Sequence, residues 1–135
     1  MIYVVHQKRS ALHLTNVQYV GRPTVLGNPF THLTKNTKAM YIVPTVEDAV
    51  KQYDNHLMKS VSTGRDNGEF NELLRLAELY QREGVLYLSC WCKDELAPRP
   101  SDHVCHADVL RREIYRLLRT IGYFKTLAHI WQKPQ

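Results

Sequence analysis

The apolar positions of this chain fall into short blocks, and the period within each block predicts its element. Ile2-Tyr3-Val4-Val5 is a β-branched and aromatic run, expected as an inner strand. Val17-Gln18-Tyr19-Val20 alternates and stops at Gly21, a second strand, and Tyr41-Ile42-Val43 is a short strand or coil. Val46, Ala49, Val50, Tyr53, Leu57 and Val61 then recur at helical spacing as one continuous stripe. Thr45 suits the cap of that helix, Glu47 and Asp48 suit its positive end, and Thr63-Gly64 should close it. Asn67-Gly68 opens a second helix with Phe70, Leu73, Leu74, Ala77 and Tyr80 on one side, and Gly84 ends it. Val85 to Ser89 is the strongest strand signal, and it runs straight into Cys90-Trp91-Cys92. Pro98 and Pro100 break the stretch from Lys93 to His103 into a loop. A third helix is expected from about His106 to Thr120, burying Leu110, Ile114, Leu117, Leu118 and Ile121, with Gly122 as its stop and a short strand or tail beyond.

Strands interspersed with amphipathic helices predict an α/β fold, a compact single-domain layered sheet with flanking helices over residues 1–135, Rossmann-like in part. The succession helix, Gly84, strand, Cys-rich loop, helix resembles half of a parallel βαβ unit. In open sheets of that kind ligands sit beyond the carboxyl ends of the strands. The chemistry is therefore expected just after Ser89.

At 135 residues the chain can bury a core without disulfide staples. Met1 to Val5 is too short for a secretory signal, and no apolar stretch approaches the roughly 20 residues of a membrane-spanning helix. The expectation is a cytoplasmic protein of a reducing compartment that makes no use of a membrane. The formal charge of +5 favours an acidic partner such as a nucleotide or a nucleic acid, or serves solubility alone.

Candidate chemistry concentrates in two places. All three cysteines lie between Cys90 and Cys105, as Cys90-Trp91-Cys92 and Cys105-His106. Three thiols and an imidazole are the donors a tetrahedral zinc takes, so Cys90, Cys92, Cys105 and His106 are the candidate metal ligands, with His103 an alternative fourth. Two other readings remain open. Cys105 at a helix N-terminus is a candidate reactive thiolate, paired with His106 or His103, and Cys90 and Cys92 also fit a buried strand end with Trp91 packed between them.

The second place is Gly21-Arg22-Pro23-Thr24-Val25-Leu26-Gly27-Asn28-Pro29-Phe30, a shaped loop with two glycines and two prolines. Arg22 offers a planar cationic fork for phosphate or carboxylate, and Asn28 offers an amide for a ribose or base edge, so Arg22, Thr24 and Asn28 are candidate ligand-binding residues. An ordinary turn with Arg22 bonded to carbonyls is the alternative. On the last helix Arg112, Arg116 and Arg119 fall in a row that would track a phosphate backbone or simply face water.

With both motifs quoted, the sequence resembles the DUF4326 family of small bacterial, archaeal and phage proteins. The family's marks are a Gly-Arg-Pro-Ser-x-Leu-Gly-Asn-Pro-Phe loop and a Cys-Trp-Cys-Lys-Pro segment followed by Cys-His-Gly-Asp. Thr24, Asp94 and Ala107 depart from that pattern. The resemblance spans about Tyr3 to Leu118 and implies that Arg22, Asn28, Cys90, Cys92, Cys105, His106 and Asp108 form one site. Cys105, His106 and Asp108 are then the candidate catalytic group, with Asp108 orienting His106 or acting as a base. The function expected is a pocket for a nucleotide or nucleobase-containing ligand, in nucleotide or DNA metabolism within a bacterial host cytoplasm if phage-encoded. The alternative is a zinc-stabilised binding module that engages nucleic acid or a host protein.

Overall fold

The structure, a computed structural model, describes residues 1–31, 33, 41–63 and 67–132, with Thr63, Ile121 and residues 123–132 as backbone alone. In chain order the elements are β1 (Ile2–His6), a 3₁₀ turn (Ser10–His13), β2 (Val17–Tyr19), β3 (Phe30–Thr31), β4 (Tyr41–Ile42), α1 (Val46–Thr63), α2 (Gly68–Glu83), β5 (Leu86–Cys90) and α3 (His106–Gln132). Three strands make a parallel sheet in the order β1-β5-β2, and β3 pairs with β4 in a separate parallel ribbon. The fold is α/β, as the alternation of periods predicts.

Strand alternation decides which side is core. Ile2 and Val4 stand in register with Leu86 and Leu88, and all four join the buried cluster with Leu73, Leu76 and Ala77 of α2 and Leu110 and Ile114 of α3. Tyr53 and Leu57 bring α1 into the same core. On α2 it is Leu76 rather than Leu74 that is fully buried. The opposite face of the sheet carries Tyr3 and Tyr87, stacked with ring centroids 5.7 Å apart.

The helix boundaries follow local chemistry. Thr45 Oγ1 accepts the Asp48 N–H at 3.1 Å to start α1. Asn67 Oδ1 accepts the N–H groups of Glu69 and Phe70, and Gly84 closes α2 in the left-handed region at φ 79°. Gly64, expected to end α1, and the histidine at 32 lie outside the described residues.

Two expectations need correction. β1 is an edge strand, not an inner one. An all-apolar run reads as central because the sequence does not reveal what covers its free edge. Here Glu95 exchanges bonds with Val4, through its Oε1 at 2.6 Å and its own N–H at 2.8 Å. The Tyr115 hydroxyl accepts the Ile2 N–H at 3.0 Å, and Arg111 donates to the Ile2 carbonyl at 3.2 Å. These bonds blunt the edge. Second, α3 does not stop at Gly122 but continues to Gln132. A single helical glycine costs about 1 kcal/mol, which is too little to end a helix whose next proline is Pro134.

The proline-broken loop after Cys92 is tied down by carboxylates. Buried Asp94, at one of the positions departing from the family pattern, accepts the N–H groups of Ser10 and Leu96 at 2.9 and 3.0 Å. Asp102 accepts from Arg9 at 2.9 Å and from the N–H groups of Asp94 and Arg99 at 3.1 Å each. Among the described residues, no helix is long and apolar enough to cross a membrane.

Candidate functional site

β2 and β5 run parallel and end side by side, since Tyr19 stands in register with Ser89. The segments beyond them, Val20-Gly21-Arg22 and Trp91-Cys92, are therefore brought together. A cavity of about 510 Å³ opens there, within the size range of small-ligand pockets. It lies beyond the carboxyl ends of two parallel strands, where the βαβ reading places it. Its walls combine aromatic surface from Tyr19, Phe30 and Trp91 with polar groups of Arg22, Asn28, Thr31 and His103. Cys92, Cys105 and His106 also line it, and no Asp or Glu does among the described residues.

The Gly-Arg-Pro loop is folded by its own short-range bonds. The Gly21 carbonyl accepts both the Thr24 N–H at 2.9 Å and the Thr24 hydroxyl, and Gly27 N–H donates to the Thr24 carbonyl at 2.9 Å. The Arg22–Pro23 peptide is cis. Two anchors hold the loop to α1. The Tyr53 hydroxyl donates to the Leu26 carbonyl at 2.7 Å, and the Asn28 amide donates to the Ala49 carbonyl at 3.2 Å while its oxygen accepts the Phe30 N–H at 2.9 Å. The structure thus uses both ends of the Asn28 amide to brace the loop, and it uses the Thr24 hydroxyl in a turn. Arg22 is different. Arg22 lines the cavity, and its guanidinium makes one 3.3 Å bond to the Asn28 carbonyl. Beside it the Trp91 indole N–H donates to the Tyr19 hydroxyl at 2.9 Å, which donates to the Arg22 carbonyl at 2.7 Å.

The three cysteines converge although they come from two segments. Cys90 ends β5, Cys92 lies two residues on, and Cys105 precedes the first residue of α3. The Cys90 and Cys105 sulfurs are 3.5 Å apart, and all three lie within 4.8 Å of one another. A tetrahedral zinc with Zn–S bonds of about 2.3 Å needs sulfurs about 3.8 Å apart. The set fits, and three close cysteines can hold a metal ion. Hydrogen bonds from the Cys105 and Cys92 thiols, with the N–H groups of Cys92 and Lys93, hold the Cys90 thiol far below its ordinary range despite burial. Cys105 is pushed far up by its bonds to Cys90 and Cys92 and by burial. These directions favour the thiolate at Cys90 over the thiol at the helix N-terminus.

His106 stands apart from the sulfurs. Its Nε2 lies 2.7 Å from the Val20 carbonyl, which can only accept, so that nitrogen carries the proton. The ring is buried edge-on against Tyr53, and burial pushes its pKa down, keeping it neutral. Asp108 sits in the first turn of α3 and does not line the cavity. One of its oxygens accepts the Cys105 N–H at 2.8 Å, the reciprocal half of a capping box. The other pairs with Lys93 at 2.6 Å and Arg111 at 2.8 Å. Lys93 comes directly after Cys92, so this carboxylate ties the Cys-Trp-Cys segment to the Cys-His segment. Ala107 is buried in the core, so the exchange of glycine for alanine there falls away from the cavity.

Asp108→Asn is accordingly expected to weaken metal binding about 10- to 100-fold, as loss of an outer partner of a ligand does. Competition with a chromophoric chelator measures it. Unchanged affinity in a folded variant would show that Asp108 does not position the sulfurs.

The arginine row on α3 is largely engaged within the fold. Arg112 pairs with Asp54 on α1 and with Glu113, and Arg116 pairs with Glu113 at 3.2 Å, while Arg119 is exposed.

The sequence signals did not reveal the aromatic wall, because Tyr19, Phe30 and Trp91 each read as ordinary strand or loop residues. The Lys93–Asp108 pair did carry a signal, since one residue flanks each cysteine motif with opposite charge.

Neither the curated proteins nor the solved structures include a match to the chain. The family described as a domain of unknown function, DUF4326, matches residues 4–116. That span contains the Gly-Arg-Pro loop, all three cysteines and the first turns of α3, so the chain belongs to the DUF4326 family.

Proposed function

We propose that the chain binds a nucleotide or other nucleobase-bearing ligand in this cavity, as a pocket enzyme of nucleotide or DNA metabolism, with zinc held by Cys90, Cys92 and Cys105. One observation carries the reading. A single cavity is lined by two of three metal-competent sulfurs, a guanidinium and three aromatic side chains, with no carboxylate on its wall among the described residues. Aromatic faces suit a planar base, and Arg22 suits a phosphate. Asp108 and His106 support the site by position, Asp108 through the Cys105 N–H and His106 through Val20. Three free thiols in proximity fit a reducing compartment such as the cytoplasm.

The alternative, a zinc-stabilised module that tracks nucleic acid along α3, requires Arg112, Arg116 and Arg119 to be available. Intramolecular pairing of the first two weighs against it. Calorimetric titration of the zinc-loaded chain with nucleoside monophosphates and with a single-stranded oligonucleotide separates the two. Saturable mononucleotide binding that Arg22→Ala removes supports the pocket. Oligonucleotide binding alone, falling steeply with salt and dependent on the α3 arginines, sinks it.

A further inference from the structure

The cavity wall runs from buried Cys105 and His106 at its floor to half-exposed Trp91 at its mouth, and that asymmetry sets the orientation of a ligand. We infer that the ligand enters anion first, its oxyanion bound between Arg22 and the coordination position that three cysteines leave open, with its planar end at the mouth against Trp91. This inference rests on the metal reading proposed above.

Three sulfurs fill three positions of a tetrahedral ion, and no fourth His, Cys, Asp or Glu joins the group among the described residues. Cys92 and Cys105 line the cavity whereas Cys90 does not, so an ion held by the trio presents its remaining position to the cavity side. A guanidinium has five N–H donors, and Arg22 commits one of them to a 3.3 Å bond within the fold. The rest have no partner among the described residues. α3 begins at the same floor with Cys105 and His106, and the positive end of its dipole adds to the preference for an anion.

Arg22 is also what makes an anion tolerable beside the thiolates. A divalent ion with three thiolates carries one net negative charge, and Arg22 is the one permanently cationic side chain on the described cavity wall to offset it. A tetrahedral or planar oxyanion can place one oxygen on the ion and another on the guanidinium. Neither wall alone would hold it as well. The planar end of a ligand so placed is directed toward the mouth, where Trp91 is half exposed and already fixed by its bond to Tyr19. Phosphate is the shared chemistry, and it comes either from a nucleotide or from free phosphate.

Cobalt(II) loaded in place of zinc makes both parts visible. Its thiolate charge-transfer bands report the cysteines, and its ligand-field bands report the fourth position. Inorganic phosphate is expected to shift the ligand-field bands saturably. Arg22→Ala should raise the half-saturating phosphate concentration about tenfold or more with the charge-transfer bands retained, and Arg22→Lys should recover part of the loss. Adenosine monophosphate should bind more tightly than phosphate, and Trp91→Ala should shrink the ratio of the two affinities. Charge-transfer bands whose ligand-field partners ignore phosphate, or an Arg22→Ala variant that responds like the parent, would overturn the inference while leaving the metal site intact. Equal affinity for phosphate and adenosine monophosphate would overturn the orientation. Absence of the charge-transfer bands would instead strike the metal reading itself.

Discussion

Cys90→Ser, Cys92→Ser and Cys105→Ser are each expected to abolish the binding of about one zinc per chain that the proposed site predicts for the parent. The three sulfurs form a set in which every member is within 4.8 Å of the others, so removal of any one leaves two donors and no geometry for a tetrahedral ion. The effect on affinity should be large, because structural zinc binds zinc-finger peptides with an apparent free energy on the order of 10–16 kcal/mol. The consequences for folding should differ among the three. Cys90 and Cys105 are buried in the main core cluster, where a hydroxyl replaces a sulfur that packs against apolar neighbours. Cys92 is only partly buried. Cys92→Ser should therefore lose metal with the smallest loss of stability, and Cys90→Ser and Cys105→Ser should lose both. Leu57, Leu73, Leu76, Leu88, Leu110 and Ile114 supply most of the same core with apolar side chains that ligate nothing, so chelation should lower the melting temperature without unfolding the chain. Metal analysis of untagged protein, with circular dichroism melts of parent and variants, measures all of this. A fully folded parent free of zinc at saturating metal would mean that the trio is a hydrogen-bonded thiol cluster and no more.

The sequence made the positions of the helices legible because their ends are local events. Thr45, Asn67 and Gly84 act on backbone groups within a few residues, and the observed caps are the ones their chemistry dictates. That the two motifs meet was implied by the family resemblance, and the place of the Cys-Trp-Cys segment was legible for a different reason. A strand that runs directly into Cys-Trp-Cys, in a chain of βαβ character, must deliver those residues to the carboxyl edge of the sheet. What was not legible depends on pairs distant in sequence. Glu95 covers the edge of β1 from 91 residues away, and nothing in Ile2 to Val5 announces it. The roles of Asn28 and Asp108 were obscured in the same way. Their residue types fit ligand binding and base chemistry, yet Ala49 and Phe30 occupy the first, and Lys93, Arg111 and the Cys105 N–H occupy the second. A polar residue type shows what a side chain can do, and its partners in the fold decide how much of that capacity is left for a ligand.

Gly27→Ala is expected to damage both stability and ligand binding, more than any other single methyl group added to the Gly-Arg-Pro loop. A Cβ built at Gly27 lies 2.9 Å from Arg22 Cα and 3.0 Å from both Arg22 N and the Gly21 carbonyl oxygen. All three are backbone atoms, which cannot rotate out of the way as a side chain can. The two arms of the loop must then part, and both carry the site. One arm bears Arg22 on the cavity wall, and the other leads into Leu26, whose carbonyl is held by Tyr53, and Asn28, which is braced on Ala49. Overpacking of this kind costs about 1–3 kcal/mol, and displacement of a positioning group by about 1 Å can cost on the order of 100-fold in function. Gly21→Ala provides the contrast. Its Cβ would meet the Tyr19 hydroxyl and ring rather than backbone, so Tyr19 can swing aside. That relief breaks the chain from Trp91 through Tyr19 to the Arg22 carbonyl, and it should weaken ligand binding more than stability. Urea denaturation and mononucleotide titration of both variants separate the cases. If Gly27→Ala unfolded at the parent's midpoint and bound with the parent's affinity, the close approach of the two arms would not be what shapes the site. If instead both losses appear, the glycines of this loop are spacers that let Arg22 reach the cavity, and the loop is part of the binding machinery rather than a connector.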